Sequence, residues 1–96
     1  MAELLTDQQV AEALGRLPQW RREGDTIERK AELESFPRAI AVVNRVAEIA
    51  ESVNHHPDID IRWRTLTFRL STHSDGGLTG KDISLAGQID EVVTEM

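Results

Sequence analysis

Cysteine is absent from this chain of 96 residues, so it has no disulfide framework and no thiolate metal site. No apolar run approaches the ~18 residues that a membrane-spanning helix needs, and the first residues lack the basic and apolar regions of a signal peptide. An excess of positive charge is also missing, because the formal net charge is −6. Nonspecific attraction to nucleic acid or to an anionic membrane is therefore unfavourable. We expect a cytoplasmic protein that binds neither.

Internal repeats, low-complexity tracts and long linkers are missing as well. We therefore expect a single domain over residues 1–96, near the small end of the usual size range. The hydrophobic content of 40% and the charged content of 29% are ordinary for a globular protein. A core of this size is modest, so oligomerisation would help to stabilise it.

Capping residues and hydrophobic periodicity predict three helices and four strands. Helix starts are marked at Thr6, Ser35 and Thr79. Alternation of apolar and polar residues predicts the strands. In chain order, the predicted elements are a helix from Thr6, strands over 19–22 and 26–34, a helix over 36–54, a hairpin over 58–72 and a helix from Thr79. This order predicts an α+β fold, a sheet with helices on one face.

The helix over 36–54 carries two apolar stripes, whereas a surface helix on a small sheet needs only one. The stripes are Phe36, Ile40, Val43, Ala47 and Ala50 on one side, and Val42, Val46, Ile49 and Val53 on the other. Two interpretations stay open. Either the helix has a wide buried face, or its second stripe contacts another subunit.

The three histidines of the chain are its strongest functional signal. His55 and His56 follow the second helix, and His73 follows the hairpin. If the hairpin bends at Arg64-Thr65, His73 faces His56, and facing Cβ atoms in a regular ladder are about 4.5–5.5 Å apart. Because imidazole titrates near neutral pH, this grouping predicts a proton-transfer site.

The spacing of these residues resembles that of a known family. The pattern Glu51-x3-His55-His56-Pro57-x5-Trp63-x9-His73-x8-Asp82 is similar to that of the pterin-4a-carbinolamine dehydratases, as are the stretches HHPDIDIRW, LSTHSDGGLT and KDISLA. The likeness runs from about Leu5 to the C-terminus. At the bend, many relatives have Asn where this chain has Arg64, which leaves the turn type open.

The resemblance implies a fold, an assembly and a reaction. The fold would be a four-stranded antiparallel sheet with three helices packed on one face, assembled into homodimers or homotetramers. The reaction would be the dehydration of 4a-hydroxytetrahydropterin to quinonoid dihydropterin, as in tetrahydrobiopterin recycling. It would require no metal and no cofactor.

The chemistry of that reaction suits histidine. Loss of water from a carbinolamine needs a base at the ring N5 proton and an acid at the departing 4a-hydroxyl. Positioned acid–base catalysis is typically worth about 10²–10⁴-fold. We therefore predict His55, His56 and His73 as catalytic residues, with the acid and the base not yet assigned.

Six further residues are candidates for substrate binding or for support of the histidines. Glu51 precedes His55 by one helical turn, and such residues face the same way, so Glu51 is expected to orient an imidazole. Asp82 is expected to cap the last helix with Thr79, and it can also steady a histidine. The other four flank the histidines and suit the polar edge of a pterin, although each is also an ordinary cap or loop residue: Asn54, Ser71, Thr72 and Ser74.

Other interpretations stay open. Three imidazoles would suit zinc, although we expect no metal. The resemblance also allows an oligomerisation or interaction module for a protein partner, because members of the family have been recruited in that way. Trp63 lies about 23 Å from His56 along an extended strand, at about 3.3 Å per residue. It is therefore expected to pack the hairpin tip or an intersubunit contact rather than the pterin.

Overall fold

The computed structural model describes residues 3–96, which contain three α-helices and four β-strands in the predicted order. The elements are α1 (Asp7–Gly15), β1 (Arg21–Glu23), β2 (Thr26–Glu32), α2 (Phe36–Val53), β3 (Asp58–Arg62), β4 (Thr65–Leu70) and α3 (Gly80–Glu95), with a short 3₁₀ helix at His73–Asp75. The α+β fold class is confirmed. No helix within these residues is long and apolar enough to cross a membrane.

The four strands form one antiparallel sheet in the order β1-β2-β4-β3, so that β1 and β3 are its edges. One face of the sheet is buried, and its largest contributions come from Ile27, Leu66, Phe68 and Leu70. The helices cover this face with Val10, Val42, Val46, Leu85 and Ile89, which belong to the same core. Burial of each such side chain contributes roughly 1.5–3 kcal/mol.

The helices begin where the capping residues predict. Thr6 Oγ1 accepts from the Gln9 N–H at 3.1 Å, and the Gln9 side chain accepts from the Thr6 N–H at 2.8 Å. Ser35 Oγ accepts from the Arg38 N–H at 3.2 Å. At its other end α2 stops at Asn54, which adopts the left-handed conformation with φ 52° and ψ 44°. Asparagine tolerates the left-handed conformation, which turns the chain sharply after the helix.

The bend of the β3–β4 hairpin lies one residue earlier than predicted. Arg62 pairs with Thr65, so the turn is Trp63-Arg64 and not Arg64-Thr65. Trp63 has a φ of 55°, which is uncommon for a bulky residue. The turn is held beside the end of β2, because the Leu33 N–H donates to the Arg64 carbonyl at 2.9 Å and Arg64 Nη1 donates to the Leu33 carbonyl at 3.1 Å.

This shift overturns the predicted pairing of His56 with His73. The ladder between β3 and β4 ends at the pair Asp58–Arg69, before it reaches either histidine. Continued in the same register, it would bring Ser71 opposite His56. Any approach of His73 to the other two histidines must therefore come from the loop that follows β4.

A polar contact that no sequence pattern indicated fixes α3 to the sheet. Asp90 of α3 accepts from Trp20 Nε1 at 2.8 Å and forms an ion pair with Arg29 of β2. All three side chains are buried or mostly buried. The position of α3 matters because this helix also carries Asp82.

Candidate active site

His55 is held in the protein by a buried carboxylate. The left-handed conformation of Asn54 brings the backbone of His55 against the end of α2, where the His55 N–H donates to the Ala50 carbonyl at 3.1 Å. Its side chain is 10% exposed, and its Nε2 lies 2.7 Å from Oδ1 of Asp82, whose side chain is 0% exposed. The pair is thus removed from water. Electrostatic interactions are stronger in the protein interior than in water.

Asp82 joins three parts of the chain through its two carboxylate oxygens. Oδ1 faces His55, while Oδ2 accepts from the Thr79 N–H at 2.9 Å and from Thr72 Oγ1 at 2.8 Å. The two threonine hydroxyl oxygens lie 2.8 Å apart, and both threonines are buried. The predicted capping box of Thr79 and Asp82 is present. One carboxylate therefore caps α3, holds His55 and anchors the segment after β4.

His56 lies in solvent and pairs with Glu51. Its Nε2 is 2.8 Å from Glu51 Oε2, and the two side chains are 54% and 82% exposed. Helical spacing favours His55 as the partner of Glu51. The partner differs because α2 ends at Val53 and Asn54 leaves helical geometry, so that the i,i+4 relation does not extend to His55. An exposed pair of this kind is worth only about 0–1 kcal/mol.

His73 reaches this end of the molecule through its neighbour Thr72. Thr72 exchanges backbone hydrogen bonds with Gly77 at 2.9 and 3.3 Å, which closes the loop around the 3₁₀ helix. Because the Thr72 hydroxyl contacts Asp82, His73 lies one residue from the network that holds His55. Its side chain is exposed. Within residues 3–96, no group of three or more His, Cys, Asp or Glu side chains is arranged to hold a metal ion.

The other predicted residues differ in how free their polar groups are. Asn54 and Ser74 are exposed. Ser71 Oγ donates to the Asp25 carbonyl at 2.8 Å, so its hydroxyl proton is used in holding the β1–β2 turn. The Thr72 hydroxyl donates to Asp82. Asn54 and Ser74 therefore have the side chains most open to a ligand.

A cleft of about 290 Å³ opens beside His55, between the end of α2 and the first turns of α3. This volume is near the lower limit of small-molecule sites, about 300 Å³. The cleft is lined by Val53, His55, Gly80, Lys81, Ser84, Leu85 and Gln88. Of these, only His55 was predicted for the site. The spacing of Lys81, Ser84 and Gln88 puts them on one face of α3, and that pattern is the signal that could have indicated them.

Comparison with known proteins assigns the chain to a family. The sequence profile described as pterin 4 alpha carbinolamine dehydratase matches residues 3–92. This chain belongs to that family. The match includes all three histidines and Asp82, so the predicted site residues lie within the part of the chain that defines the family.

Curated relatives and solved structures agree with this assignment. A protein of Nocardia farcinica is 68% identical over 90 residues, covering 94% of this chain and 95% of the relative, and one of Roseiflexus castenholzii is 57% identical over 93 residues, covering 97% and 100%. Both carry the provisional name pterin-4-alpha-carbinolamine dehydratase. A crystal structure described as a transcriptional coactivator/pterin dehydratase from Brucella melitensis has a TM-score of 0.92 at 28% identity, covering 95% of this chain and 99% of that one.

A more distant structure shares the fold alone. It is described as a pterin dehydratase-like protein that is a RuBisCO assembly factor in the alpha-carboxysome. Its TM-score is 0.67 at 18% identity, covering 78% of this chain and 89% of that one. The fold has thus been solved in proteins described in different functional terms, so the site itself must support any proposed function.

Proposed function

We propose that this protein is a 4a-hydroxytetrahydropterin dehydratase, a hydro-lyase that releases water and quinonoid dihydropterin. The observation that carries the proposal is the buried pair of His55 and Asp82 beside a cleft, in a chain that belongs to the dehydratase family. In this proposal the enzyme works in the cytoplasm, and it acts after a hydroxylase that forms the carbinolamine during tetrahydrobiopterin-type recycling.

The proposed reaction consists of two proton movements. A base removes the N5 proton, and the electron pair left on N5 forms the C4a=N5 double bond. The C4a–O bond breaks as an acid protonates the departing hydroxyl, which leaves as water. We assign these proton movements to His55, His56 and His73. The exposed His56 and His73 can exchange protons with solvent between turnovers.

The neighbouring polar residues take supporting roles in the proposal. Glu51 orients the imidazole of His56, with which it pairs. Asn54 and Ser74 are exposed and are assigned to the polar pyrimidine edge of the pterin. Ser71 is assigned to the same edge through its backbone, because its hydroxyl proton is donated to the Asp25 carbonyl.

Stopped-flow measurement of dehydration tests the function. Freshly generated 4a-hydroxytetrahydropterin is mixed with the wild type or with the His55→Ala/His56→Ala double variant, whose fold is checked by circular dichroism. The wild type is expected to exceed the spontaneous rate, and the double variant to lose about 10²–10⁴-fold. A wild type no faster than the spontaneous reaction would refute the proposal. Stoichiometric metal in protein purified without a histidine tag would replace it with a metal-dependent mechanism.

We also propose that the protein forms homodimers or homotetramers. In α2, Val42 and Val46 are fully buried, but Phe36 at the start of the helix and Val53 at its end are each 47% exposed. At the sheet edge, Ile61 is 41% exposed, and Trp63 in the adjoining turn is 71% exposed. Uncovered apolar side chains of this size favour contact with another protein surface.

Light scattering tests the assembly. We expect a mass of two or four chains for the wild type. Phe36→Lys and Ile61→Lys place a charge on α2 or on β3, so the variant that dissociates identifies the contact surface. A strictly monomeric wild type would contradict the proposed assembly and leave the exposed residues without this explanation.

A protein-binding module is the second candidate function. The same uncovered side chains on α2 and β3 favour it, and the Brucella melitensis relative is described as a coactivator as well as a dehydratase. The stopped-flow assay separates the candidates. An oligomeric protein without dehydratase activity would support the module, whereas turnover that depends on the histidines supports the enzyme.

A further inference from the structure

The hydrogen bonds around Asp82 can be assigned donor by donor. The Thr79 backbone N–H can only donate, and it donates to Asp82 Oδ2. The Lys81 N–H donates to Thr79 Oγ1 at 3.2 Å, so the single Thr79 hydroxyl proton is free for Thr72 Oγ1. Thr72 accepts that bond and gives its own proton to Asp82 Oδ2. The chain of donors therefore runs from the backbone of α3 to the carboxylate.

The remaining carboxylate oxygen determines which ring nitrogen of His55 carries the proton. Asp82 Oδ1 faces Nε2 of His55, and a carboxylate only accepts, so Nε2 carries the proton. Within residues 3–96 no hydrogen bond reaches Nδ1 of His55, and Nδ1 is not among the buried side-chain atoms that lack a partner. This nitrogen is therefore accessible to water or to a ligand, and His55 lines the cleft.

We propose that Thr72 and Thr79 are positioning residues that, with Asp82, fix His55 as its Nε2–H tautomer and leave Nδ1 as a hydrogen-bond acceptor. In serine proteases, a buried carboxylate holds an imidazole in one tautomer in a comparable way. His55 then accepts a proton from the ligand, and the acid of the reaction is His56 or His73. This consequence for turnover rests on the proposed dehydratase function, whereas the tautomer itself does not.

The substitution Asp82→Asn separates a tautomer-fixing role from a purely capping role. Because the Thr79 N–H can only donate, the amide oxygen must take the place of Oδ2 to keep the cap of α3. The amide NH₂ then faces Nε2 of His55 as a donor. His55 must therefore carry its proton on Nδ1, so a nearly isosteric change exchanges the accepting and donating nitrogens.

Long-range ¹H–¹⁵N spectra of ¹⁵N-histidine-labelled protein, recorded well above neutral pH, report the tautomer of each ring. His56→Gln and His73→Gln identify the signals of the exposed rings, which leaves those of His55. The wild type is expected to be protonated at Nε2, and Asp82→Asn at Nδ1. Asp90→Asn, a matched change on the same helix, should keep the wild-type tautomer. A wild-type ring protonated at Nδ1, or no inversion in Asp82→Asn, would overturn the proposal.

The hydroxyl chain is tested at its last link, the hydrogen bond from Thr72 to the Asp82 carboxylate. Thr72→Val removes one donor, so the carboxylate should accept more strongly from His55 and move the Nε2–H proton resonance downfield. Thr72→Ser should restore the wild-type position, which a merely structural role would not require. An unchanged resonance in Thr72→Val would refute the role of the chain. If Thr72→Val does not fold, Thr79→Val breaks the chain one link earlier and is read in the same way.

Turnover is measured separately, so the two proposals can fail independently. An inverted tautomer with wild-type dehydratase activity would refute the accepting role of His55. A wild type with the expected tautomer but without dehydratase activity would refute the proposed function and leave the tautomer assignment standing.

Discussion

The adjacent residues His55 and His56 lie in opposite environments. The side chain of His55 is nine-tenths buried against a fully buried Asp82, while His56 and its partner Glu51 are mostly in water. The two nitrogen–oxygen distances, 2.7 and 2.8 Å, are nearly equal. Distance therefore does not distinguish the pairs, but the medium does, because a hydrogen bond is electrostatically stronger in the protein interior than in water. The protein therefore holds the imidazole of His55 in place, whereas the imidazole of His56 is largely surrounded by solvent.

The largest expected difference is in stability. Asp82→Ala should lower the free energy of unfolding by about 3–5 kcal/mol, because it leaves buried donors of His55, Thr72 and Thr79 without an acceptor. Glu51→Ala, the matched change at the exposed pair, should cost less than about 1 kcal/mol. Urea unfolding followed by circular dichroism measures both. Similar losses for the two variants would contradict the contrast between the pairs.

Double-mutant cycles isolate the interaction within each pair. We expect a coupling of about 2–3 kcal/mol between His55 and Asp82, near the upper end for residues in direct contact. Between His56 and Glu51 we expect about 0.5 kcal/mol or less. The cycles use alanine at all four positions, because asparagine at Asp82 would make a new hydrogen bond with His55. Loss of the α3 cap in Asp82→Ala is common to both sides of the cycle and cancels. A larger coupling for the exposed pair would reverse the assignment.

A smaller difference is expected between two helix caps with the same motif. Thr6 and Thr79 both begin a helix with a capping box, but Thr6 is exposed, whereas Thr79 is fully buried and also bonded to Thr72. Thr6→Ala should cost about 1 kcal/mol, and Thr79→Ala about 2 kcal/mol or more, because a buried hydroxyl of Thr72 also loses its donor. Thermal unfolding compares them. Equal costs would show that the hydroxyl chain adds nothing to capping.

The smallest expected effect is that of salt. The Debye length falls from about 10 Å at 0.1 M to about 3 Å at 1 M ionic strength, which screens exposed charges far more than buried ones. The stability difference between wild type and Glu51→Gln should therefore disappear at high salt, while that between wild type and Asp82→Asn persists. Unfolding curves at the two salt concentrations provide the test. Persistence of the Glu51→Gln difference would indicate a less exposed pair than the structure shows.

Features encoded over a few residues could be predicted from the sequence. The helix starts at Thr6, Ser35 and Thr79 are confirmed, because each depends on a cap and its hydrogen bonds within one turn. The strands follow from alternation, although their ends differ by one or two residues. The order of elements then limits the fold to a sheet with helices on one face.

The position of the hairpin bend could not be obtained in this way. Moving a bend by one residue changes the pairing register by two, which returns every side chain to the same face of the sheet. Ile59 lies opposite Phe68, whereas the predicted bend would have put it opposite Leu70, and either pairing buries apolar residues. Only the residues of the turn could have distinguished the two bend positions, and neither candidate turn contains the Asn or Gly that tight hairpins favour.

The site was predictable in its residues more than in its contacts. The sequence indicates that Asp82 caps α3, but its contact with His55 depends on the left-handed conformation of Asn54. The same conformation gives Glu51 the partner His56. The lining of the cleft by α3 depends on how two helices distant in sequence pack together, and no local pattern specifies that packing.

The most direct test of the proposed site compares the rates at which the wild type and Asp82→Asn dehydrate freshly generated 4a-hydroxytetrahydropterin in a stopped-flow instrument. We predict a wild-type rate well above the spontaneous one and a loss of about 10²–10⁴-fold in the folded variant, the usual range for a positioned acid or base. Equal rates for the two proteins would contradict the claim that His55, set by Asp82, moves a proton in the reaction.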